Sequence, residues 1–159
     1  MIIQHILVPT DFSPGSDEAV RYAFEIAVRL GARLHVLHVL ENPFAAGAFM
    51  EMYSPPPGDY FVDVERQAEE RLRRSLTTDQ QEQVGAVLTT RMGVAATEIL
   101  NRLEEAPRID LVVMATHGRG GVARLVMGSV ADKVVRAADC PVLTMREHPQ
   151  KVATPGRAA

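Results

Sequence analysis

The sequence predicts an α/β fold: one domain on a five-stranded parallel sheet with helices on both faces. Three observations carry this. Five short segments are apolar throughout rather than alternating, the pattern of strands buried on both sides. Helical segments separate them, giving the order β-α-β-α-β-α-β-α-β. The chain has 159 residues, enough for a single domain with its own core.

The first strand is Ile2 to Val8, rich in β-branched residues and stopped by Pro9. Ser13-Pro14 opens a helix, with Ser13 as N-cap and Pro14 at the first helical position. Ala19, Ala23, Ala27 and Leu30 form its apolar stripe, and Arg21, Glu25 and Arg29 hold the opposite face. Gly31 suits the residue that ends it. Leu34 to Leu40 is the second strand. Residues Glu41 to Tyr60 include Pro43, Gly47, Pro55, Pro56, Pro57 and Gly58, and read as a long mobile loop, of the kind that serves as a lid or partner surface.

Val62 to Leu76 is helical, with Val64, Ala68 and Leu72 spaced by four. Val84 to Thr90 is the third strand, Ala95 to Leu103 a helix, and Ile109 to Ala115 the fourth strand. Thr116 to Gly128 is a glycine-containing loop. Ser129 to Ala138 is a helix whose Ser129 and Asp132 have capping-box spacing. Pro141 to Met145 is the fifth strand. The domain is expected over 1–147, with 148–159 a flexible tail.

Composition excludes several classes. Twenty acidic residues against seventeen basic ones give a net charge of −3, which argues against a nucleic-acid-coating protein. No apolar run approaches the ~20 residues of a membrane helix. Met1 to Pro9 lacks a basic region and a small-residue cleavage site, so it does not read as a signal peptide. Cys140 alone cannot form an internal disulfide, which suits a reducing compartment; the expected location is the cytoplasm.

In open α/β sheets, ligands sit beyond the carboxyl ends of the strands. Those ends are Pro9-Thr10-Asp11, His38-Val39, Met114-Ala115-Thr116-His117-Gly118 and Met145-Arg146-Glu147. After the fourth strand, Gly118, Gly120 and Gly121 permit tight turns, and Arg119 adds a positive charge. Gly128-Ser129 opens a helix, where N–H groups and the dipole favour an anion. The segment reads equally as a phosphate cradle and as a flexible loop with an ordinary serine cap. It is not a Walker A loop, since no lysine precedes Ser129, and the first turn carries no G-x-G-x-x-G fingerprint.

Residues 1–147 resemble the universal stress protein family. The matching features are Ile6 through Ser13, Leu37-His38-Val39, Gly93, the loop after the fourth strand, and Cys140-Pro141-Val142-Leu143. The family's nucleotide-binding branch carries Gly-x2-Gly-x9-Gly-Ser/Thr. Here Gly118 and Gly128-Ser129 keep the spacing, with Ala115 at the first position.

The resemblance implies a flavodoxin-like, Rossmann-like sheet of order 3-2-1-4-5. It implies a site for ATP with Mg²⁺, or another adenine nucleotide. Pro9, Thr10 and Asp11 would border the adenosine, with Asp11 near the ribose or a nucleotide-bound Mg²⁺. Val39 would offer backbone groups to the adenine edge, and Met114 and Ala115 would line the floor by the sugar. Gly118, Arg119, Gly128, Ser129 and Val130 would hold the phosphates. It also implies a homodimer through the edge strand Val142 to Met145, acting in stress response on a signalling partner.

Other readings stand beside these. Asp11 can simply cap the following turn. His117, a lone loop histidine, reads as solvated rather than as a general base. His35 and His38 lack the further ligands a metal needs. Cys140 reads as a small buried residue. The function expected is a nucleotide-binding regulatory dimer. The alternatives are a dimeric interaction protein without nucleotide, and a slow ATP hydrolase. No nucleophile, base and orienting group are legible together, and no intrinsic metal site is expected.

Overall fold

The computed structural model describes residues 2–41, 59–117 and 127–146. In chain order its elements are β1 His5–Thr10, α1 Pro14–Leu30, β2 Arg33–Leu40, α2 Asp59–Arg74 and α3 Thr78–Gln83. There follow β3 Val87–Met92, α4 Ala95–Glu104, β4 Leu111–Ala115, α5 Ser129–Ala137 and β5 Val142–Met145. All strands pair in parallel, in the order β3-β2-β1-β4-β5. This is the flavodoxin-like arrangement the resemblance implies.

Alternate residues of the central strands feed two cores. Ile6, Val8, Leu34, Val36 and Val113 pack under α1 and α2 through Ala19, Ala23, Ala27 and Leu72. Leu7, Leu37, Val112 and Met114 pack under α4 and α5 through Ile99, Leu103, Ala131 and Val134. Both faces of each central strand are buried, which is why the strands read as continuous apolar runs. Cys140 is partly buried against the second core, and burial pushes its thiol above the ordinary range. Among the described residues no helix is long and apolar enough to cross a membrane.

The helix α1 forms as its ends dictate. Ser13 is the N-cap and accepts a hydrogen bond from the Ser16 amide, Pro14 follows at the first position, and Gly31 ends the helix at φ 64°. Three expectations shift. The strand β1 starts at His5 and runs through Pro9 to Thr10, rather than stopping at the proline. The helix α2 includes Asp59 and Tyr60, which had been expected in the loop. Before β3 an unexpected short helix, α3, is capped by a reciprocal Thr77–Gln80 box. It buries none of its residues, so it leaves no hydrophobic period in the sequence.

The split between β1 and β4 positions the site. The strand β1 pairs with β2 from His5 to Thr10, but with β4 only at Ile6 and Leu7. Backbone groups of Gln4 face β2 and those of His5 face the β4 side, so by alternation Pro9 faces β4. The strands have parted there, so a residue without an N–H costs no ladder bond. A crevice opens at the carboxyl edge, at the point where strand order reverses.

Candidate functional site

A cavity of about 680 Å³ occupies that crevice. This size suits a small-molecule ligand. Nine of the predicted site residues line it: Pro9, Thr10, Asp11, Val39, Met114, Ala115, Gly128, Ser129 and Val130. Gly118 and Arg119, residues 42–58 of the expected 41–60 loop, and the expected 148–159 tail lie outside the described residues.

The β1–α1 turn is tightly tied. Asp11 Oδ1 accepts from the Ser13 amide at 3.1 Å and from its hydroxyl at 2.6 Å. Asp11 therefore caps the turn and also lines the cavity. Thr10 Oγ1 accepts from the Phe12 amide at 3.0 Å and lies 3.0 Å from Ser16 Oγ. Phe12 takes a left-handed backbone, φ 61°. Its ring centroid lies 4.2 Å from that of His38, and the Arg71 guanidinium sits 4.4 Å above its centre. His38 Nδ1 donates to the Thr10 carbonyl at 2.8 Å, joining the ends of β1 and β2.

The far wall is built around Thr116. Its amide donates to the Met145 carbonyl at 2.8 Å, and its carbonyl accepts from the Gly128 amide at 2.7 Å. The Gly128 N–H is thus engaged by protein. The N-terminal amides of α5, at Ser129, Val130 and Ala131, have no intrahelical acceptor and are the donors available to an anion. The expected serine cap is corrected. Gly128 is the N-cap and Ser129 the first helical residue, with no side-chain cap bond. Asp132 bonds Arg136 instead of closing a capping box. Gly128 must come close to the Thr116 carbonyl, and that approach sets the entry into α5. Ala115 is an ordinary strand residue paired with Met145, a backbone that needs no glycine.

Residues outside the predicted site also line the cavity: Ser16 and Glu41, which the sequence reading missed, and Thr116 and His117, which it placed at the strand end without a binding role. Glu41 Oε1 accepts from the Ala95 amide at 3.4 Å, reaching the N-terminus of α4 whose N-cap Val94 offers no side-chain bond. The only signal for it was its place just past the second strand. His117, expected to be solvated, is only partly exposed. Its Nδ1 lies 2.9 Å from Thr116 Oγ1, and its Nε2 is buried with no hydrogen-bond partner among the described residues. Among the described lining residues the carboxylates are Asp11 and Glu41, with no lysine or arginine. No group of three or more potential metal ligands occurs among the described residues.

Comparison with known proteins agrees with this architecture. The universal stress protein family profile matches residues 3–146. A universal stress protein of Methanocaldococcus jannaschii is 32% identical over 152 residues, covering 92% of this chain and 84% of its own. Universal stress protein A homolog 1 of Coxiella burnetii is 33% identical over 155 residues, covering 91% and 97%. Among solved structures, UspA of Lactobacillus plantarum superposes with a TM-score of 0.70 at 26% identity, over 92% of this chain and 99% of that one. Two further neighbours share the fold. One is a universal stress protein in complex with cAMP, with TM-score 0.64, 23% identity, and coverage of 91% and 98%. The other, from Archaeoglobus fulgidus, is in complex with dAMP, with TM-score 0.58, 21% identity, and coverage of 91% and 98%. The chain belongs to the universal stress protein family.

Proposed function

We propose that the protein binds an adenine nucleotide, ATP with Mg²⁺ foremost, in the crevice between β1 and β4. It would act as a homodimeric regulatory module of the stress response in the cytoplasm. One observation carries this reading: residues expected from four separate chain segments line a single cavity where β1 and β4 part. The cAMP and dAMP complexes of fold neighbours support the choice of an adenine ligand.

The lining suits the parts of such a ligand. Leu37, Val39, Ile99 and Met114 offer an apolar bed for a base. The amides of α5 and the Ser129 hydroxyl offer donors for phosphate. Mg²⁺ would arrive on the phosphates, with Asp11 as the bordering carboxylate, rather than be caged by protein alone. It would neutralise phosphate charge next to the acidic Asp11 and Glu41. The chain's own part is to bind, to orient and to exclude water. Any hydrolysis would be slow.

A second reading, an interaction protein without nucleotide, draws on one observation: the described lining has carboxylates but no cationic side chain. Titration calorimetry of ATP with Mg²⁺ into nucleotide-stripped protein separates the two. The Ser129→Glu variant serves as control. A carboxylate there favours the helix terminus yet repels phosphate. Micromolar binding in the parent, lost in the variant at unchanged melting temperature, supports the nucleotide reading. A silent parent protein sinks it in favour of the second.

A further inference from the structure

We propose that Arg71 is a positioning residue for the ligand site: over the Phe12 ring it holds the β1–α1 turn that presents Asp11, and so couples α2 to ligand binding. The inference rests on the nucleotide reading above for its ligand, and it adds a residue that does not itself line the cavity.

The turn holds a conformation that its sequence does not favour. Phe12, a bulky residue, takes a left-handed backbone at φ 61°. Such a backbone is unfavourable for any residue with a Cβ, and it persists only where the surroundings fix it. Three contacts do so here. The Phe12 amide donates to Thr10 Oγ1 at 3.0 Å. The ring centroid lies 4.2 Å from that of His38. The Arg71 guanidinium carbon lies 4.4 Å from the ring centre. The first two come from the strands β1 and β2; the third comes from α2. Phe12 is also joined to the cavity on two sides. Asp11 before it in the chain and His38 beside its ring both line the cavity.

Arg71 differs from its neighbours on α2. Arg66 pairs with Asp63 and Glu70, and Arg73 with Glu69, all along the helix surface. Arg71 forms no ion pair among the described residues and lies over an aromatic face instead. It stands two helical turns beyond Val64, on the same side of the helix. Val64 lines the cavity, and Leu72 is buried in the first core. The helix α2 thus reaches the site directly at Val64 and through the Phe12 ring at Arg71. A ligand that touches Asp11 favours the turn in this conformation, and Arg71 favours the same conformation. Each therefore strengthens the other, and the coupling is reciprocal. Ligand binding tightens the last turn of α2, and loss of Arg71 weakens binding without removing a group that lines the cavity.

The test combines titration calorimetry of ATP with Mg²⁺ and hydrogen exchange of α2, read by mass spectrometry with and without the nucleotide. It compares the parent with Arg71→Met, Arg71→Lys, Phe12→Gly and the Phe12→Gly, Arg71→Met pair. In the parent, ATP should slow exchange in the last turn of α2. Arg71→Met should weaken binding about two- to fivefold, the range an exposed cation–π contact supplies. It should also abolish the slowing in α2. Arg71→Lys, which keeps a cation over the ring, should recover most of both. Phe12→Gly adopts the left-handed backbone without strain but offers no ring. In that background Arg71→Met should change affinity less than about 1.5-fold. Unchanged ATP affinity in Arg71→Met overturns the proposal and leaves the nucleotide reading standing, even if the melting temperature falls. Slowing of α2 that survives Arg71→Met does the same, as does an equal loss with and without the Phe12 ring. A parent that binds no ATP overturns both readings.

Discussion

His5 Nδ1 lies 3.0 Å from His35 Nε2, at the edge of the sheet opposite the cavity. On the other side of the His35 ring, Arg102 Nη2 sits 3.2 Å from Nδ1. A guanidinium can only donate, so Nδ1 accepts and the His35 proton lies on Nε2, which donates to His5. The same guanidinium donates to the Pro107 carbonyl at 3.1 Å. One buried chain of hydrogen bonds thus joins β1, β2 and the carboxyl end of α4.

This chain makes stability sensitive to acid. Burial first, then the charges of Arg102, His5 and Arg33, push the His35 pKa from 6.5 down to about 4. Between those values the unfolded state binds a proton that the folded state refuses. Stability is therefore full above pH 6.5 and falls as pH drops toward 4, where the loss levels off. Urea unfolding at pH 7 and pH 4.5 should differ by about 2–3 kcal/mol from this group. In His35→Asn, which keeps an acceptor for Arg102, that share of the difference should vanish. An identical pH slope in the variant would remove His35 from the account.

Arg102 is the other half of that relationship. It is only 8% exposed, and burial lowers its own pKa. Arg102→Met leaves His35 Nδ1 and the Pro107 carbonyl without their donor, at a cost of roughly 1–3 kcal/mol at pH 7. It also removes a positive charge beside His35, so the acid-sensitive window should move to higher pH. Carbon-13 or nitrogen-15 NMR titration of His35 measures that directly, and a downward move would contradict the assignment.

Much of this was legible in the sequence, for a physical reason. Strands buried on two faces and helices with one apolar stripe leave plain periodicities, so ten residues of pattern around Ile6 or Val112 suffice to place a strand. The strand ends then bring Thr10, Asp11, Ala115 and Ser129 to one edge. What stayed hidden lacks such a pattern. The helix α3 buries nothing and announces itself only by Thr77 and Gln80. His35 and Arg102 meet across 67 positions, and nothing local marks either. His117 read as solvated because its contact with Thr116 and its place beside the N-cap of α5 arise only in the fold.

The N-cap of α1 links fold and site. Ser13 Oγ accepts from the Ser16 amide at 3.3 Å and donates to Asp11 Oδ1 at 2.6 Å. Ser13→Ala removes both, which should cost about 1–2 kcal/mol. For a domain of this size that is roughly a 3–6 °C drop in melting temperature. A Ser13→Thr variant keeps the oxygen and should stay near the parent.

The proposed dimer has its own test. The strand β5 is a sheet edge, and Leu143 on it is 36% exposed. An apolar edge left open favours pairing with a second copy. Leu143→Lys puts a charge on that edge and should convert a dimer to a monomer in light scattering after size exclusion, with the helical spectrum unchanged. A parent that is monomeric at tens of micromolar would end the proposal.

Gly128 separates two meanings of a glycine. Its backbone, φ −62° and ψ 151°, is one any residue adopts, so conformation does not demand glycine here. Space does. A Cβ would meet the Thr116 carbonyl oxygen at 2.9 Å. That oxygen cannot retreat cheaply, because it accepts the Gly128 amide at 2.7 Å. Gly128→Ala must therefore stretch this bond or shift the start of α5, at roughly 1–3 kcal/mol. Gly31 is the opposite case, with φ 64° and nothing within 4 Å of an added Cβ. Gly31→Ala should cost about 1–2 kcal/mol through backbone strain alone and leave ligand affinity unchanged. Denaturant melts of the two variants should show similar losses, while nucleotide titrations should separate them. Only the Gly128 variant displaces the amides that would face phosphate, so only it should weaken ATP binding. Equal affinity in both would mean that the entry of α5 does not shape the phosphate end of the cavity.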